Sequence, residues 1–187
     1  LGGYKVVPTG IQHGTVTVLV EDLSLEVTTF RRDGAYADHR HPTMVTYSET
    51  IEEDLSRRDF TINALAWNDK RGLLDPHGGF DDLKRSVVRA AGNPDKRFKE
   101  DALRILRALR LSSELQFTID DACSEALVKN ASLLLFVARE RIREEWVRLI
   151  QGTGAAQVMS QYANVLSDVI PGIDKLQRSN LYEQSLR

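Results

Sequence analysis

Cysteine is nearly absent from this chain. The single Cys123 excludes an internal disulfide and any multi-cysteine zinc site. It sits in an apparent helix and reads as a small core side chain. Long apolar runs are missing too. None approaches the roughly 18 residues that a membrane span needs, and no signal peptide is visible, so the expectation is a cytoplasmic protein with no membrane partner. Net charge is scarce: 25 Lys and Arg against 27 Asp and Glu leave −2. The surface is therefore not generally basic, and any contact with nucleic acid must come from a local patch. Internal repeats and low-complexity tracts are lacking. So is an initial methionine; the chain opens on Leu1, which points to residues before it.

What remains is ordinary for a globular protein of 187 residues, one domain or two small ones. Residues 11–20 alternate apolar and β-branched side chains and read as a strand. Glu21 and Asp22 turn the chain into a second, antiparallel strand over 23–30. Leu23, Leu25, Val27 and Thr29 share one face of it; Ser24, Glu26, Thr28 and Phe30 share the other. Residues 31–47 show no period and read as a long loop. Thr50 is placed to cap a helix running to about Arg58, with Glu53 in capping-box position. The apolar stretch 60–67 suits a helix or a strand. Gly72 to Gly79 is rich in turn residues, structure resumes over 81–90, and Gly92-Asn93-Pro94 is the best boundary. Beyond it the chain reads as almost wholly helical, with helices over 118–130, 138–150 and 154–166 and a break at Pro171-Gly172. The order is α+β, then all-α.

The stretch that organises the rest is 97–111, which reads as one helix. Ala102, Leu103, Ile105, Leu106 and Leu109 fall on one arc; Arg97, Glu100, Asp101, Arg104, Arg107 and Ala108 fall on the other. Asp101 and Arg104 are three residues apart and so are neighbours on the surface. One reading is an exposed ion pair of little energetic weight. The other is a base reader. A carboxylate beside a guanidinium offers an acceptor next to a fixed donor fork. Cytosine and adenine present an amine donor beside a ring-nitrogen acceptor, whereas guanine and uracil present the reverse. Spacing alone does not choose between the two readings.

Three further clusters bear on chemistry. Glu26, in a strand, is either a solvent-facing charge or a hard-cation ligand projecting from a sheet. In Asp54-Leu-Ser-Arg57-Arg58-Asp59-Phe-Thr-Ile-Asn63-Ala, the arginines are either a solvated helix end or a clamp for a triphosphate. Asp75-Pro76 with Gly78 and Gly79 is either a simple turn or a hinge between a head and the helical part.

Five segments in this order resemble one family: Ile-Gln-His-Gly-Thr-Val-Thr-Val, Glu26-Val-Thr-Thr-Phe-Arg31, Asp54 to Ala64, Gly72-Leu-Leu-Asp75-Pro76, and Glu100-Asp101-Ala-Leu-Arg104. They are similar to the class II tRNA nucleotidyltransferases, the bacterial-type CCA-adding enzymes, within the poly(A) polymerase family. The likeness covers about residues 6–117 and continues more loosely over 132–142. It implies a partial polymerase-β-like nucleotidyltransferase head, residues 1–92, followed by an all-α neck and start of a body, residues 93–187. It implies CCA addition to tRNA 3′ ends from CTP and ATP, without a template; A-adding enzymes and bacterial poly(A) polymerases are the alternatives within the superfamily. Asp101 and Arg104 would read the base. Arg57, Arg58 and Asp59 would hold triphosphate and ribose, with Asn63 and Arg107 completing the nucleotide site. Glu26 would be a catalytic metal ligand for Mg²⁺, two ions serving the reaction. The family's Asp-x-Asp pair, expected upstream of Gln12, does not occur here. Either the head lacks its first part or the chain is catalytically dead, so a non-catalytic RNA-binding fragment is the reading from another class. The family also extends farther at the C-terminus, so the expectation is that Leu186-Arg187 marks an early end or a limit of order.

Overall fold

The computed structural model describes residues 3–11, 14–34 and 45–173, apart from the side chains of Thr9, Asp33 and Val45. Three strands, β1 (Lys5–Gly10), β2 (Thr15–Val20) and β3 (Leu23–Thr28), form an antiparallel sheet in the order β1-β2-β3. The antiparallel pairing expected for the second and third is present, with Val16 opposite Val27, Thr17 opposite Glu26 and Val18 opposite Leu25. Residues opposite one another share a face. One face is therefore aliphatic, carrying Val6, Val16, Val18, Val20, Leu23, Leu25 and Val27. The other is mixed, carrying Lys5, Val7, Thr15, Thr17, Leu19, Ser24, Glu26 and Thr28.

The loop expected over 31–47 is in part structured. Strands β4 (Arg31–Asp33) and β5 (Val45–Tyr47) pair antiparallel at its base, because a strand pair satisfies backbone groups that an open loop leaves to water. Its centre, 35–44, lies outside the described residues, as does 12–13 of the first expected strand. Helix α1 (Ile51–Ser56) follows without the expected capping box. The Thr50 side chain makes no cap hydrogen bond; instead Ser48 Oγ accepts the Thr50 amide at 3.1 Å and donates to Glu53. The 60–67 stretch is neither one helix nor one strand. It makes a 3₁₀ turn over Thr61–Asn63 and then β6 (Ala66–Asn68), which pairs with β7 (Gly72–Leu74).

Helix α2 (Gly79–Arg85) packs against that 3₁₀ turn so closely that a Cβ on Gly79 would overlap the Thr61 carbonyl. Buried Asp82 completes the joint, accepting from Thr61 Oγ1 at 2.6 Å and from Arg85 and Arg89 at 3.0 and 2.9 Å. Strand β8 (Val87–Val88) then pairs, in parallel, with β9 (Thr118–Ile119) from beyond Gly92-Asn93-Pro94. This short strand corrects the expectation that the helix beginning at Asp121 starts at Thr118.

The expected helix over 97–111 is two helices: α3 (Pro94–Glu100), capped by the Asn93 side chain, and α4 (Leu103–Leu115). Then come α5 (Asp121–Lys129), capped by Asp120, a 3₁₀ turn over Ala131–Phe136, and α6 (Arg139–Gln151). The helix expected over 154–166 is also two, α7 (Ala155–Gln161) and α8 (Ala163–Leu166), divided at Tyr162. One apolar core runs from Phe60, Val88 and Ala90 through Phe98, Leu106 and Leu109 to Leu127, Leu134, Leu149 and Leu166. Cys123 is in it, as expected, and burial pushes its thiol up to about 12. Among the described residues no helix is long and apolar enough to cross a membrane.

The Gly79 contact has a measurable consequence. Gly79→Ala must push α2 off the Thr61 backbone, and the loss in unfolding free energy should be about 1–3 kcal/mol, as for other overpacked sites. A urea melt measures it; an unchanged midpoint would refute the close-packing account.

Candidate functional site

The site begins at the joint between α3 and α4. Asp101 takes an extended conformation (φ −141°, ψ 106°), and its Oδ1 accepts the Leu103 amide at 3.1 Å, as a helix cap does. A polar side chain that bonds its own backbone competes with helix continuation. That break overturns the reading of Asp101 and Arg104 as an exposed ion pair on one helix. The two are not paired. Asp101 Oδ2 accepts Arg141 Nη2 at 3.0 Å. Arg104 is buried and turns its fork inward, donating Nη1 to Glu100 at 2.7 Å and to the Arg97 carbonyl at 3.1 Å, and Nη2 to the Arg57 carbonyl at 3.2 Å.

Arg104 and Asp101 nonetheless line one cleft of about 770 Å³. Arg57, Arg58, Asp59, Asn63 and Arg107 line it with them, so every residue expected to bind nucleotide faces the same space. Seven arginines and three acidic residues form the walls. On a chain of net charge −2, this is the local basic patch that the composition required. A larger hollow of about 1140 Å³ lies on the other side of Arg57. Its walls mix both signs, and three pairs form among its charges: Arg32 with Glu53, Lys99 with Asp95 at 2.7 Å, Arg97 with Glu100 at 2.8 Å. The smaller cleft is the better anion site because its excess of cations over acids is larger, seven to three against five to four.

Carboxylates from several elements hold the arginines in place. Asp54, nearly buried on α1, accepts Arg57 Nε and Nη2 at 3.0 and 2.6 Å on one oxygen and Arg58 at 3.2 Å on the other. Asp59 Oδ1 accepts the Phe60 amide at 2.8 Å and Asn63 Nδ2 at 3.2 Å, while Oδ2 accepts Arg107 Nε at 2.8 Å. Glu145 on α6 reaches Arg110 at 2.6 Å and Arg107 at 3.4 Å. Sequence reasoning did not assign roles to Asp54, Glu100, Arg141 or Glu145. The first two had a local signal, standing three or four residues from Arg57, Arg58 and Arg104. The other two had none, because they arrive on a distant helix.

Glu26 is exposed on β3. It shares a sheet face with Thr28, which lines the cleft, and lies one pleat repeat, roughly 7 Å, along the strand from it. Among the described residues no three His, Cys, Asp or Glu side chains converge on a metal position. At the Asp75-Pro76 turn, the Asp75 carboxylate accepts the amides of Gly79 at 2.7 Å and Phe80 at 3.0 Å in the first turn of α2.

Burial pushes the Asp59 carboxyl up, but the Arg107 charge and the bonds from Arg107, Asn63 and the Phe60 amide outweigh it, leaving it below the usual range. Burial likewise opposes, and arginines overcome it, at Asp54 through Arg57 and Arg58 and at Glu100 through Arg97 and Arg104. A carboxyl lowered on folding stabilises the fold above its unfolded pKa, and that contribution is lost as pH falls through the folded value. Unfolding free energy should therefore drop as pH falls from about 5 toward 2, and Asp59→Asn should flatten the slope. A wild-type stability independent of pH over that range would contradict the arginine–carboxylate account.

The comparisons with known proteins agree with this geometry. Residues 3–89 match the family described as the poly A polymerase head domain, and residues 116–176 match the one described as a probable RNA and SrmB-binding site of polymerase A. The CCA-adding enzyme of Lactobacillus delbrueckii subsp. bulgaricus is 46% identical over 170 residues, 90% of this chain and 43% of that protein. That of Geobacillus thermodenitrificans is 42% identical over 170 residues, 90% of this chain and 42% of its own length. The crystal structure of the Bacillus stearothermophilus CCA-adding enzyme in complex with CTP superposes with a TM-score of 0.80 at 37% identity, covering 93% of this chain and 42% of that one. A tRNA nucleotidyltransferase complexed with a primer tRNA and an incoming ATP analog gives 0.73 at 33%, covering 91% and 48%. The chain thus spans less than half the length of the relatives it matches. With the head pattern, the RNA-binding pattern and the same fold all present, this chain belongs to the tRNA nucleotidyltransferase and poly(A) polymerase family.

Proposed function

We propose that this chain selects the nucleotide in template-independent addition of CCA to tRNA 3′ ends, with CTP and ATP as substrates and tRNA as partner. The observation that carries the reading is the single arginine-rich cleft shared by Asp101, Arg104, Arg57, Arg58, Asp59, Asn63 and Arg107. Arg104 spends three N–H groups on Glu100, Arg97 and Arg57, which fixes its plane and leaves two of five for a base edge. Asp101 beside it supplies the acceptor for an exocyclic amine. Both cytosine and adenine satisfy this order of acceptor and donor; guanine and uracil meet it with like against like. Arg57 and Arg58, stiffened by Asp54, are suited to phosphate oxygens. Asp59 and Asn63, tied together and to Arg107, suit a ribose edge. In this reading residues 1–92 belong to the head and 93–187 to the neck and body.

Nucleotidyltransferases of this family generally use divalent metal ions. We assign Mg²⁺ as the ion and Glu26 as one ligand. One carboxylate does not hold two ions, so the described residues do not by themselves make the metal site, and no step is drawn through it. A-adding and poly(A)-polymerising activities are the alternatives at the same cleft. The lone Glu26 favours, as the reading from another class, a non-catalytic RNA-binding segment.

Binding of the four nucleoside triphosphates to the 187-residue chain tests base reading. CTP and ATP should bind more tightly than UTP and GTP, and Asp101→Ala or Arg104→Ala should erode the difference by roughly 1–3 kcal/mol, the range of bidentate base contacts. Selectivity unchanged in both variants would exclude the pair as base reader, and a preference for ATP alone would favour the A-adding or polyadenylating alternatives. For catalysis, the assay is incorporation of labelled CTP and ATP into tRNA lacking its terminal CCA. The chain by itself should give no product, and product from it would show the metal-site assignment to be wrong.

A further inference from the structure

Helix α1 ends at Ser56, next to Arg57 and Arg58 of the cleft. The last carbonyls of a helix have no partner inside it. Two arginines from beyond Gly92-Asn93-Pro94 supply partners: Arg97 Nη2 donates to the Ser56 carbonyl, and Arg104 Nη2 to the Arg57 carbonyl at 3.2 Å. The same two arginines meet on a single oxygen. Glu100 Oε2 accepts Arg97 Nη1 at 2.8 Å and Arg104 Nη1 at 2.7 Å. Arg97 Nε completes the group by donating to the Ala91 carbonyl at 2.8 Å. The Arg97 fork thus spans three acceptors in three segments, which a planar guanidinium can do and a compact ammonium cannot. The side chains of Arg97, Glu100 and Arg104 are 16, 12 and 10% exposed, so water and salt screen the group weakly. Burial pushes the Glu100 carboxyl up, and the bond from Arg97 leads the effects that hold it below the usual range.

We propose that Arg97 is a positioning residue for base selection: through Glu100 it sets the plane of the Arg104 guanidinium, so that Nε and the second Nη2 hydrogen of Arg104 face a base edge. The inference rests on the base-reading role given to Arg104 above. Arg97 lines the larger hollow and not the cleft, so it works through Glu100 without touching the nucleotide. Without it, among the described residues, the shared carboxylate is anchored only by the arginine it should anchor. Because Arg97 also docks the end of α1, the phosphate clamp of Arg57 and Arg58 and the base reader share one support.

The experiment measures affinities of the 187-residue chain for CTP, UTP and inorganic tripolyphosphate. Arg97→Ala should reduce the ratio of CTP to UTP affinity roughly tenfold, within the span of one bidentate base contact. A loss common to all three ligands reports loosening of α1 and cancels in that ratio. Arg97→Lys keeps a charge for Glu100 but no fork, and its ratio should fall between those of wild type and Arg97→Ala. If Arg97→Ala does not fold, Arg97→Lys decides, by a lowered or an unchanged ratio. In an Arg104→Ala background, Arg97→Ala should change the ratio no further, because residues acting through one another are not additive. Losses equal for CTP, UTP and tripolyphosphate would reduce Arg97 to a structural brace and overturn the proposal. A ratio that survives both Arg97 variants, or one that Arg97→Ala lowers again without Arg104, would overturn it as well while leaving base reading intact. A wild-type chain that binds CTP and UTP equally would overturn the base-reading role, and positioning with it.

Discussion

Helix α4 is buried nearly all round, and it carries arginines. That constraint governs the rest of the molecule. Leu103, Ile105, Leu106 and Leu109 are in the core, yet Arg104 and Arg110 are almost as inaccessible. A buried guanidinium without a partner is too costly to keep, whereas a paired one with its other N–H groups satisfied is tolerated. Each therefore recruits a carboxylate: Glu100 from α3 for Arg104, and Glu145 from α6 and Glu114 for Arg110. The partners come from both sides, so the ion pairs fix where α3 and α6 sit. The cleft is the space left where these helices meet α1 and the sheet.

The three-stranded sheet contributes through the difference between its faces. The face with Thr28 and Glu26 turns toward the cleft, and Thr28 forms part of its wall. The opposite, aliphatic face leaves Leu23, Leu25 and Val27 substantially exposed. Between sheet and helices, the α2 segment is tied down by Asp75 and Asp82, both of which accept hydrogen bonds from more than one neighbour. Asn63 and the end of α1 are thus presented to the cleft by a packed support rather than by a loop.

Much of this was legible because it is local. Alternation fixed the antiparallel pair β2 and β3 and the facing of Glu26. Motif order fixed the family, and with it the set of residues that the fold gathers in one cleft. Cys123 was recognisable as core from its helical, apolar setting. Boundaries were less legible. Periodicity carried the expected helix straight through Asp101, because an Asp that caps the next turn has the same hydropathy as an Asp on a solvated face. The capping box at Thr50 failed for a similar reason, since Ser48 Oγ engages both the Thr50 amide and the Glu53 carboxylate that the box would have joined. The two-residue strand at Thr118 depends on Val87 and Val88, far away in sequence, and no local pattern announces such a partner.

The sequence by itself determined the class of elements, the identity of the chemical groups and the order in which they come, since all three follow from side-chain type and spacing. Only the tertiary structure decided how those groups are oriented. Asp101 and Arg104 are three residues apart, but each is held by another partner: Arg141, forty residues on, for the carboxylate, and the neighbouring Glu100 with the distant Arg57 carbonyl for the guanidinium. Spacing along a helix defines which side chains can meet. Which of them do meet is set by desolvation, because a half-buried charge takes whichever partner the packed fold brings within hydrogen-bond reach.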